Sequence, residues 1–206
     1  VDLLVGAANG GDGDGRAYIF YNDGSIPTMA ASADVIIDAE YGSAFGNAMV
    51  AGDFNADGKT DFAIAGSDYS SWSGVGRVYL FYNDGSIPTT AATADAMITG
   101  ETTNNRFGFA FAAADFNADG KTDLAIGAHR YATNTGRVYI FYNDGSLPTA
   151  AVSADVIITG EATSNYFGAW LVAADFNADG KMDLIAGAYG YAASRGRVYI
   201  FTSQNG

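Results

Sequence analysis

The sequence contains no cysteine, only three prolines and one histidine, and its 10 lysines and arginines are outnumbered by 23 acidic residues. Without cysteine there is no disulfide framework, and the redox compartment cannot be argued from thiols. The net charge of −13 opposes binding to nucleic acid and to anionic membrane surfaces. No stretch resembles a signal peptide or a membrane span, so we expect no membrane insertion.

Repetition is the feature that the sequence has in abundance. The nonapeptide DFNADGKTD begins at Asp53 and at Asp115, and DFNADGKMD begins at Asp175. A second motif, GRVYIFYNDGS or a variant of it, begins at Gly15, Gly76, Gly136 and Gly196. A period of about 60 residues is the signature of propellers, solenoids or repeat arrays.

Each repeat predicts four strands and no helix. In the third copy these are NRFGFAFAAAD before the nonapeptide, DLAIGA after it, RVYIFY at 137–142 and ADVIIT at 154–159. The first strand is dense in alanine and glycine, which suits a narrow place such as the axis of a propeller. The third strand is bulky on both faces, so we expect both faces to be covered by neighbouring sheets. The predicted fold class is all-β, with four-stranded antiparallel blades.

The nonapeptides predict metal sites. Oxygen-bearing side chains occupy loop positions 1, 3, 5 and 9, and a glycine at position 6 permits the sharp turn. Calcium takes about six to eight oxygen ligands. The predicted ligands, with the main-chain carbonyl of each lysine, are Asp53, Asn55, Asp57, Lys59 and Asp61; Asp115, Asn117, Asp119, Lys121 and Asp123; and Asp175, Asn177, Asp179, Lys181 and Asp183.

Two other kinds of loop have a similar composition. An EF-hand is excluded, because position 12 is Ile64, Ile126 or Ala186 instead of a bidentate glutamate. A turn rich in Asp and Asn that needs no metal remains open. The glycine- and aspartate-rich run at 9–15 is a further, irregular candidate cation loop.

The motifs around the loops resemble those of a known family. Phe-Gly precedes each nonapeptide at 45–46, 107–108 and 167–168, and a short element of Gly and Ala follows it at 64–66 (IAG), 126–128 (IGA) and 186–188 (AGA). This combination resembles the FG-GAP repeats of integrin α subunits and of many bacterial extracellular proteins. The family's final proline is replaced by Ser67, His129 and Tyr189, and its frequent aspartate at loop position 3 is asparagine. The resemblance implies a β-propeller with calcium between strands one and two, in about three sites, and an extracellular or cell-surface location.

We therefore predict a single domain over residues 1–206, made of about 3.5 repeats. Their approximate limits are 1–42, 43–103, 104–163 and 164–206, with the first and last incomplete, so that the repeats hold three, four, four and three strands. Asp2 aligns with loop position 9. Full-length relatives usually close a ring of seven blades. The expectation is that the chain is a fragment of a longer protein or that strands from another chain complete it.

The sequence does not suggest an enzyme. No pair of nucleophile and base recurs, and His129, in a variable loop, is interpreted as a surface residue rather than a catalyst. The arginines that open each third strand are predicted to pair with an acidic residue of a neighbouring strand; they are Arg16, Arg77, Arg137 and Arg197. We predict a non-catalytic module for adhesion or for binding a protein or other ligand.

The blades of a propeller form a disc with two sides. The predicted ligand surface is the side that carries the loops joining strands two to three and four to one, here called the variable face. These loops differ between copies, whereas the opposite side carries the nonapeptides and the NDGS turns. The candidate residues are Tyr69, Trp72, Arg130, Tyr131, Tyr189, Tyr191 and Arg195. Two alternatives remain: a lectin-like glycan binder, and a structural protein that assembles with other copies of itself through open terminal blades. Unselected drift of these loops, with some aromatics packed on neighbouring blades, is also open.

Overall fold

The computed structural model describes residues 2–8, 14–69 and 74–202, and these residues form fourteen strands in four antiparallel sheets. Sheet one contains β1 (Leu3–Ala7), β2 (Arg16–Phe20) and β3 (Val35–Asp38). Sheet two contains β4 (Phe45–Gly52), β5 (Asp61–Gly66), β6 (Arg77–Phe81) and β7 (Ala96–Thr99). Sheet three contains β8 (Ala110–Ala114), β9 (Asp123–Ala128), β10 (Arg137–Phe141) and β11 (Val156–Thr159). Sheet four contains β12 (Phe167–Ala174), β13 (Asp183–Ala188) and β14 (Arg197–Phe201).

The strands are paired in chain order within each sheet, and the all-β prediction is confirmed. First strands of successive sheets pack against one another, β1 on β4, β4 on β8 and β8 on β12. The approach is close enough that a Cβ on Gly127 would lie 2.1 Å from the carbonyl oxygen of Gly168. Small residues are therefore required near the first strands, as the sequence predicts for the axis of a propeller.

The core lies between the sheets. Phe45, Phe107 and Phe167 are buried, and Phe107 meets the ring of Tyr139 edge-on at 5.3 Å. In β6 and β10 both faces are covered, as predicted. In β14 the expectation is wrong, because Val198 and Ile200 are 65% and 56% exposed. Among the described residues no further sheet packs against this face of sheet four.

The cleft between sheets two and three is filled by side chains, whereas the cleft between sheets three and four is open. Between sheets two and three, Leu147 and Ala151 from the segment after β10 join the buried core, and the Thr99 N–H donates to the Thr149 carbonyl at 3.0 Å. The equivalent cleft between sheets three and four is an open cavity of about 580 Å³, lined among others by Ile140 and Leu184. The described part of sheet four includes no equivalent segment.

Single-turn helices connect some strands, although the sequence predicts none. They are three 3₁₀ turns, Ala30–Ser32, Ala91–Thr93 and Ala151–Ser153, and two short turns, α1 (Tyr131–Asn134) and α2 (Tyr191–Ser194). The last two contain residues in the left-handed region, such as Thr133 with φ 58°. Within the described residues, no helix has the length and apolar character needed to cross a membrane.

Neighbouring sheets are joined by what we call arginine clamps, each an arginine at the start of a third strand with a tyrosine and a glutamate. Arg137 of β10 lies 3.0 Å from Glu101, which follows β7 of the preceding sheet, and its guanidinium lies 3.6 Å from the centre of the Tyr131 ring. The other two clamps are Arg77 with Glu40 and Tyr69, and Arg197 with Glu161 and Tyr191. Arg16 pairs instead with Asp38 of its own sheet. The predicted ion pairs are therefore present.

We expect the clamps to differ in strength, because they differ in exposure. The side chains of Arg137 and Glu101 are 18% and 16% exposed, whereas those of Arg197 and Glu161 are 40% and 51% exposed. Glu101→Gln should lower the free energy of unfolding by roughly 2 kcal/mol and Glu161→Gln by about 0.5 kcal/mol, since solvent screens the exposed pair. Urea denaturation of both variants checks this. Equal losses of unfolding free energy in the two variants would contradict the expected difference between the buried and the exposed clamp.

Candidate functional site

The nonapeptides connect first to second strands, and each loop is held by its own side chains. Asp115 accepts hydrogen bonds from the Asp119 N–H at 3.1 Å and the Gly120 N–H at 2.8 Å. Asn117 Oδ1 accepts from the Asp119 N–H, and Asp119 Oδ1 accepts from the Lys121 N–H, each at 2.9 Å. The loops beginning at 53 and 175 repeat these bonds. The side-chain oxygens at positions 1, 3 and 5 are thus gathered around one turn.

The aspartate at position 9 has a different environment. Asp123 is fully buried; its Oδ2 accepts from the Phe116 N–H and its Oδ1 from the Asn143 N–H, both at 2.8 Å. Burial raises the pKa of the Asp123 carboxyl group, and these backbone N–H groups oppose that rise. Asn143 Nδ2 also donates to the carbonyl of Asp53 in the preceding sheet, at 3.1 Å. Position 9 therefore anchors the loop to the NDGS turn, a role that sequence reasoning missed.

The donor atoms suit a hard cation, because they are carboxylate, amide and carbonyl oxygens. A carboxylate oxygen that accepts one backbone hydrogen bond retains capacity for a second partner. The described residues nevertheless contain no group of three or more His, Cys, Asp or Glu side chains placed to hold a metal ion. Calcium binding by these loops stays a prediction.

On the variable face, the structure separates the candidate residues by their contacts. Tyr69, Tyr131 and Tyr191 stack on the arginines of the clamps, so these rings pack between sheets. The exposed candidates are Arg130, Tyr189 and Arg195. Trp72 and residues 9–13, which include most of the irregular candidate cation loop, lie outside the described residues.

His129 is not a surface residue, so that interpretation is wrong. It directly follows β9 and is only 3% exposed. The centre of its ring lies 3.9 Å from the ring centre of Phe109 and 6.0 Å from that of Tyr166. Burial, reinforced by Arg130 and Arg106, lowers its pKa to about 4. It is therefore neutral at pH 7.

The recurring segments of the chain match one family model. The model for the FG-GAP repeat matches residues 45–81, 107–141 and 167–201, which together are more than half of the chain. The chain belongs to the FG-GAP repeat family. Each matched segment begins at the phenylalanine of the Phe-Gly pair and ends with the third strand of its sheet. FG-GAP repeats form the blades of β-propellers, so the four sheets are propeller blades.

Curated proteins that contain FG-GAP repeats are similar to this chain. Bovine phosphatidylinositol-glycan-specific phospholipase D is 37% identical over 174 residues, which cover 77% of this chain and 20% of that protein. Integrin alpha-5 of Xenopus laevis is 30% identical over 175 residues, covering 80% of this chain and 16% of that protein. Mouse integrin alpha-IIb is 34% identical over 168 residues, covering 76% and 16% respectively. The chain spans about a fifth or less of the length of these relatives.

Proposed function

We propose that this FG-GAP propeller segment is an extracellular, calcium-stabilised module that binds a protein ligand and performs no catalysis. Its relatives support the non-catalytic role, because the same kind of segment occurs in a phospholipase D and in integrin alpha chains. Binding is a task that both kinds of protein can use, whereas bond cleavage is named for only one. The integrin relatives also support the extracellular location.

Support for calcium comes from the identical preorganisation of three loops. In each loop the same Asp, Asn and Asp side chains are turned into one bend by the same backbone N–H groups. Position 5 is exposed in every copy, at Asp57, Asp119 and Asp179. A cation would reach these oxygens from solvent and would offset the repulsion among three carboxylates per loop.

The division of the disc into two unlike faces is the observation that carries the ligand-binding proposal. The nonapeptide side repeats the same sequence and the same hydrogen bonds in each copy. The variable face changes from copy to copy, and it exposes Arg130, Tyr189 and Arg195 on loops that rigid sheets hold. Binding residues are found disproportionately on such loops, and Tyr and Arg are enriched at interface hot spots.

A displayed random-peptide library tests this proposal. We expect selection on the wild-type protein with calcium to enrich peptides whose binding falls at least about tenfold on the double change Arg130→Ala and Tyr189→Ala, as for hot-spot residues. The matched control is Asp84→Asn with Asp144→Asn, two exposed residues of the NDGS turns on the opposite face. Peptides that lose binding to this control but keep binding to the Arg130→Ala, Tyr189→Ala variant would place the ligand on the nonapeptide side and contradict the proposal.

The two alternatives give other results in the same set of measurements. A lectin predicts retention on a glycan array without peptide enrichment. Assembly through the terminal blades predicts that sedimentation rises with protein concentration in the absence of any ligand, through apolar residues such as Trp170 and Val198, which are 68% and 65% exposed. Either result without enriched peptides would contradict the proposed protein ligand.

A further inference from the structure

Arginines that do not open a third strand are all on one face of the disc. They are Arg106, in the connection from β7 to β8, Arg130, in the connection from β9 to β10, and Arg195, between β13 and β14. In a protein of net charge −13, three arginines thus lie on one face without a role in the clamps, and two of them, Arg106 and Arg130, belong to one local cluster. Salt screens exposed charges beyond about 8 Å, so an approaching group responds mainly to this local cluster.

Arg106 and Arg130 belong to one compact cluster with Asp68 and His129. Arg106 Nε lies 3.1 Å from Asp68 Oδ1, although the two atoms lack the alignment of a hydrogen bond. The backbone N–H of Arg130 donates to the Asn105 carbonyl at 3.3 Å, which ties the two connections together. Both arginines act electrostatically on Asp68 and on His129. With His129 neutral, two guanidinium groups and one carboxylate leave one net positive charge.

Aromatic rings line the cluster on one side. The ring of His129 packs between Phe109 and Tyr166, and Tyr166 stacks on Tyr189 with ring centres 4.6 Å apart. Tyr189 is 46% exposed, and Arg106 and Arg130 both interact with it electrostatically. The arginines therefore lie beside an exposed aromatic surface, on which the apolar part of a ligand could pack.

The cluster also contains buried polar atoms without a hydrogen-bond partner among the described residues. These are His129 Nδ1 and Asn105 Nδ2, in residues that are 3% and 4% exposed. Asp68 Oδ1 and Arg106 Nε also lack a hydrogen bond, but they form an ion pair with each other at 3.1 Å. An unpartnered buried polar group costs about 1–3 kcal/mol. Such groups are rare in a core, and two in one cluster indicate a place prepared for a polar partner. Asn105 Nδ2 is a donor, so it suits a partner that accepts hydrogen bonds.

We propose that Arg106 and Arg130 form a subsite for a carboxylate, which receives an aspartate or glutamate side chain of the ligand beside the Tyr166–Tyr189 pair. The inference rests on the proposed ligand-binding function of the variable face. The planar guanidinium group matches the two oxygens of a carboxylate. The single net positive charge balances a monovalent carboxylate and leaves a phosphate dianion uncompensated, so the carboxylate is the better match.

The single histidine of the chain is a local reporter for this subsite. We expect acetyl-aspartyl amide, titrated at pH 7 and constant chloride concentration, to shift the ring NMR signals of His129 in a saturable manner. Acetyl-asparaginyl amide, which has the same shape without the charge, should leave these signals in place. Equal shifts from both compounds would overturn the subsite.

Substitution at Arg130 provides the matched comparison. Arg130→Gln should weaken the fitted affinity for acetyl-aspartyl amide at least about tenfold, the loss of one charge-assisted hydrogen bond. Arg16→Gln, which removes an exposed arginine of sheet one, should leave it unchanged. Unfolding of Arg130→Gln is monitored by the dispersion of its amide spectrum. An unchanged affinity in the folded variant would overturn the role of Arg130.

Two further ligands separate related chemistries. Acetylglycine presents a terminal carboxylate, and tighter binding of acetylglycine than of acetyl-aspartyl amide would reassign the subsite to a chain terminus. Tighter binding of inorganic phosphate would overturn the carboxylate class. A peptide library without binders, together with a His129 shift that depends on Arg130, would contradict the proposed protein ligand and leave the subsite standing. Enriched peptides without this His129 shift would contradict the carboxylate subsite and leave the proposed protein ligand standing.

Discussion

Chelation of calcium should lower the melting temperature of this protein, and added calcium should restore it. A ligand that binds only the folded state at a hundredfold excess over its dissociation constant stabilises it by about 2.7 kcal/mol. Three loops together would contribute roughly 8 kcal/mol. For a chain of this size, each site then corresponds to a shift of roughly 5–10 °C. Differential scanning calorimetry in EDTA and in excess calcium measures the difference.

Asparagine at loop position 5 is the control for this measurement. In Asp57→Asn, Asp119→Asn and Asp179→Asn the side-chain oxygen can still accept the backbone hydrogen bond that the aspartate accepts. We expect each variant to lose part of the calcium-dependent shift while its melting temperature in EDTA stays near that of the wild type. Asp144→Asn, on an exposed NDGS turn, should keep the full shift. A melt that calcium leaves unchanged in the wild type contradicts the prediction.

Removal of the buried carboxylate at position 9 should destabilise the protein even without calcium. Asp123 accepts hydrogen bonds from the N–H groups of Phe116 and Asn143, and it is fully buried. Asp123→Ala leaves these donors unpaired, and we expect a loss of roughly 3–5 kcal/mol, since each bond to a charged group contributes about 1.5–3 kcal/mol. Denaturation in EDTA measures this loss separately from any calcium effect.

Asp119→Ala is the matched comparison, because it removes another predicted ligand of the same loop from an exposed position. In EDTA it should cost less than about 1 kcal/mol, as surface substitutions usually do. If both alanine variants lost the same stability in EDTA, position 9 would have no structural role beyond that of position 5.

Much of the fold could be predicted because the sequence repeats. The alternation of bulky residues in RVYIF and the Ala-rich first strand each occur several times, and one error of interpretation would have been visible as a mismatch between copies. The strand tally and the pairing of Arg77, Arg137 and Arg197 with glutamates are confirmed. The exposure of Val198 could not be predicted from its motif, because exposure depends on whether another sheet packs beside it.

The variable face was less predictable, because its contacts join residues that are far apart in the sequence. Nothing local distinguishes Tyr131, which packs on Arg137, from Tyr189, which stacks on Tyr166 and remains half exposed. His129 is buried by a ring from the next repeat, and Arg106 meets an aspartate of the preceding one. The variation between copies before each Phe-Gly pair and after each second strand marks this face, but it does not show which of its residues pack and which stay exposed.

Native mass spectrometry with added calcium tests the central claim most directly, since it counts bound ions. The wild-type protein should bind three calcium ions specifically, one for each nonapeptide, and each substitution among Asp57→Asn, Asp119→Asn and Asp179→Asn should weaken one of them. The triple variant should bind none at a calcium concentration that saturates the wild type. A wild-type protein that binds no calcium, or a triple variant that still binds three ions with unchanged affinity, would contradict the claim.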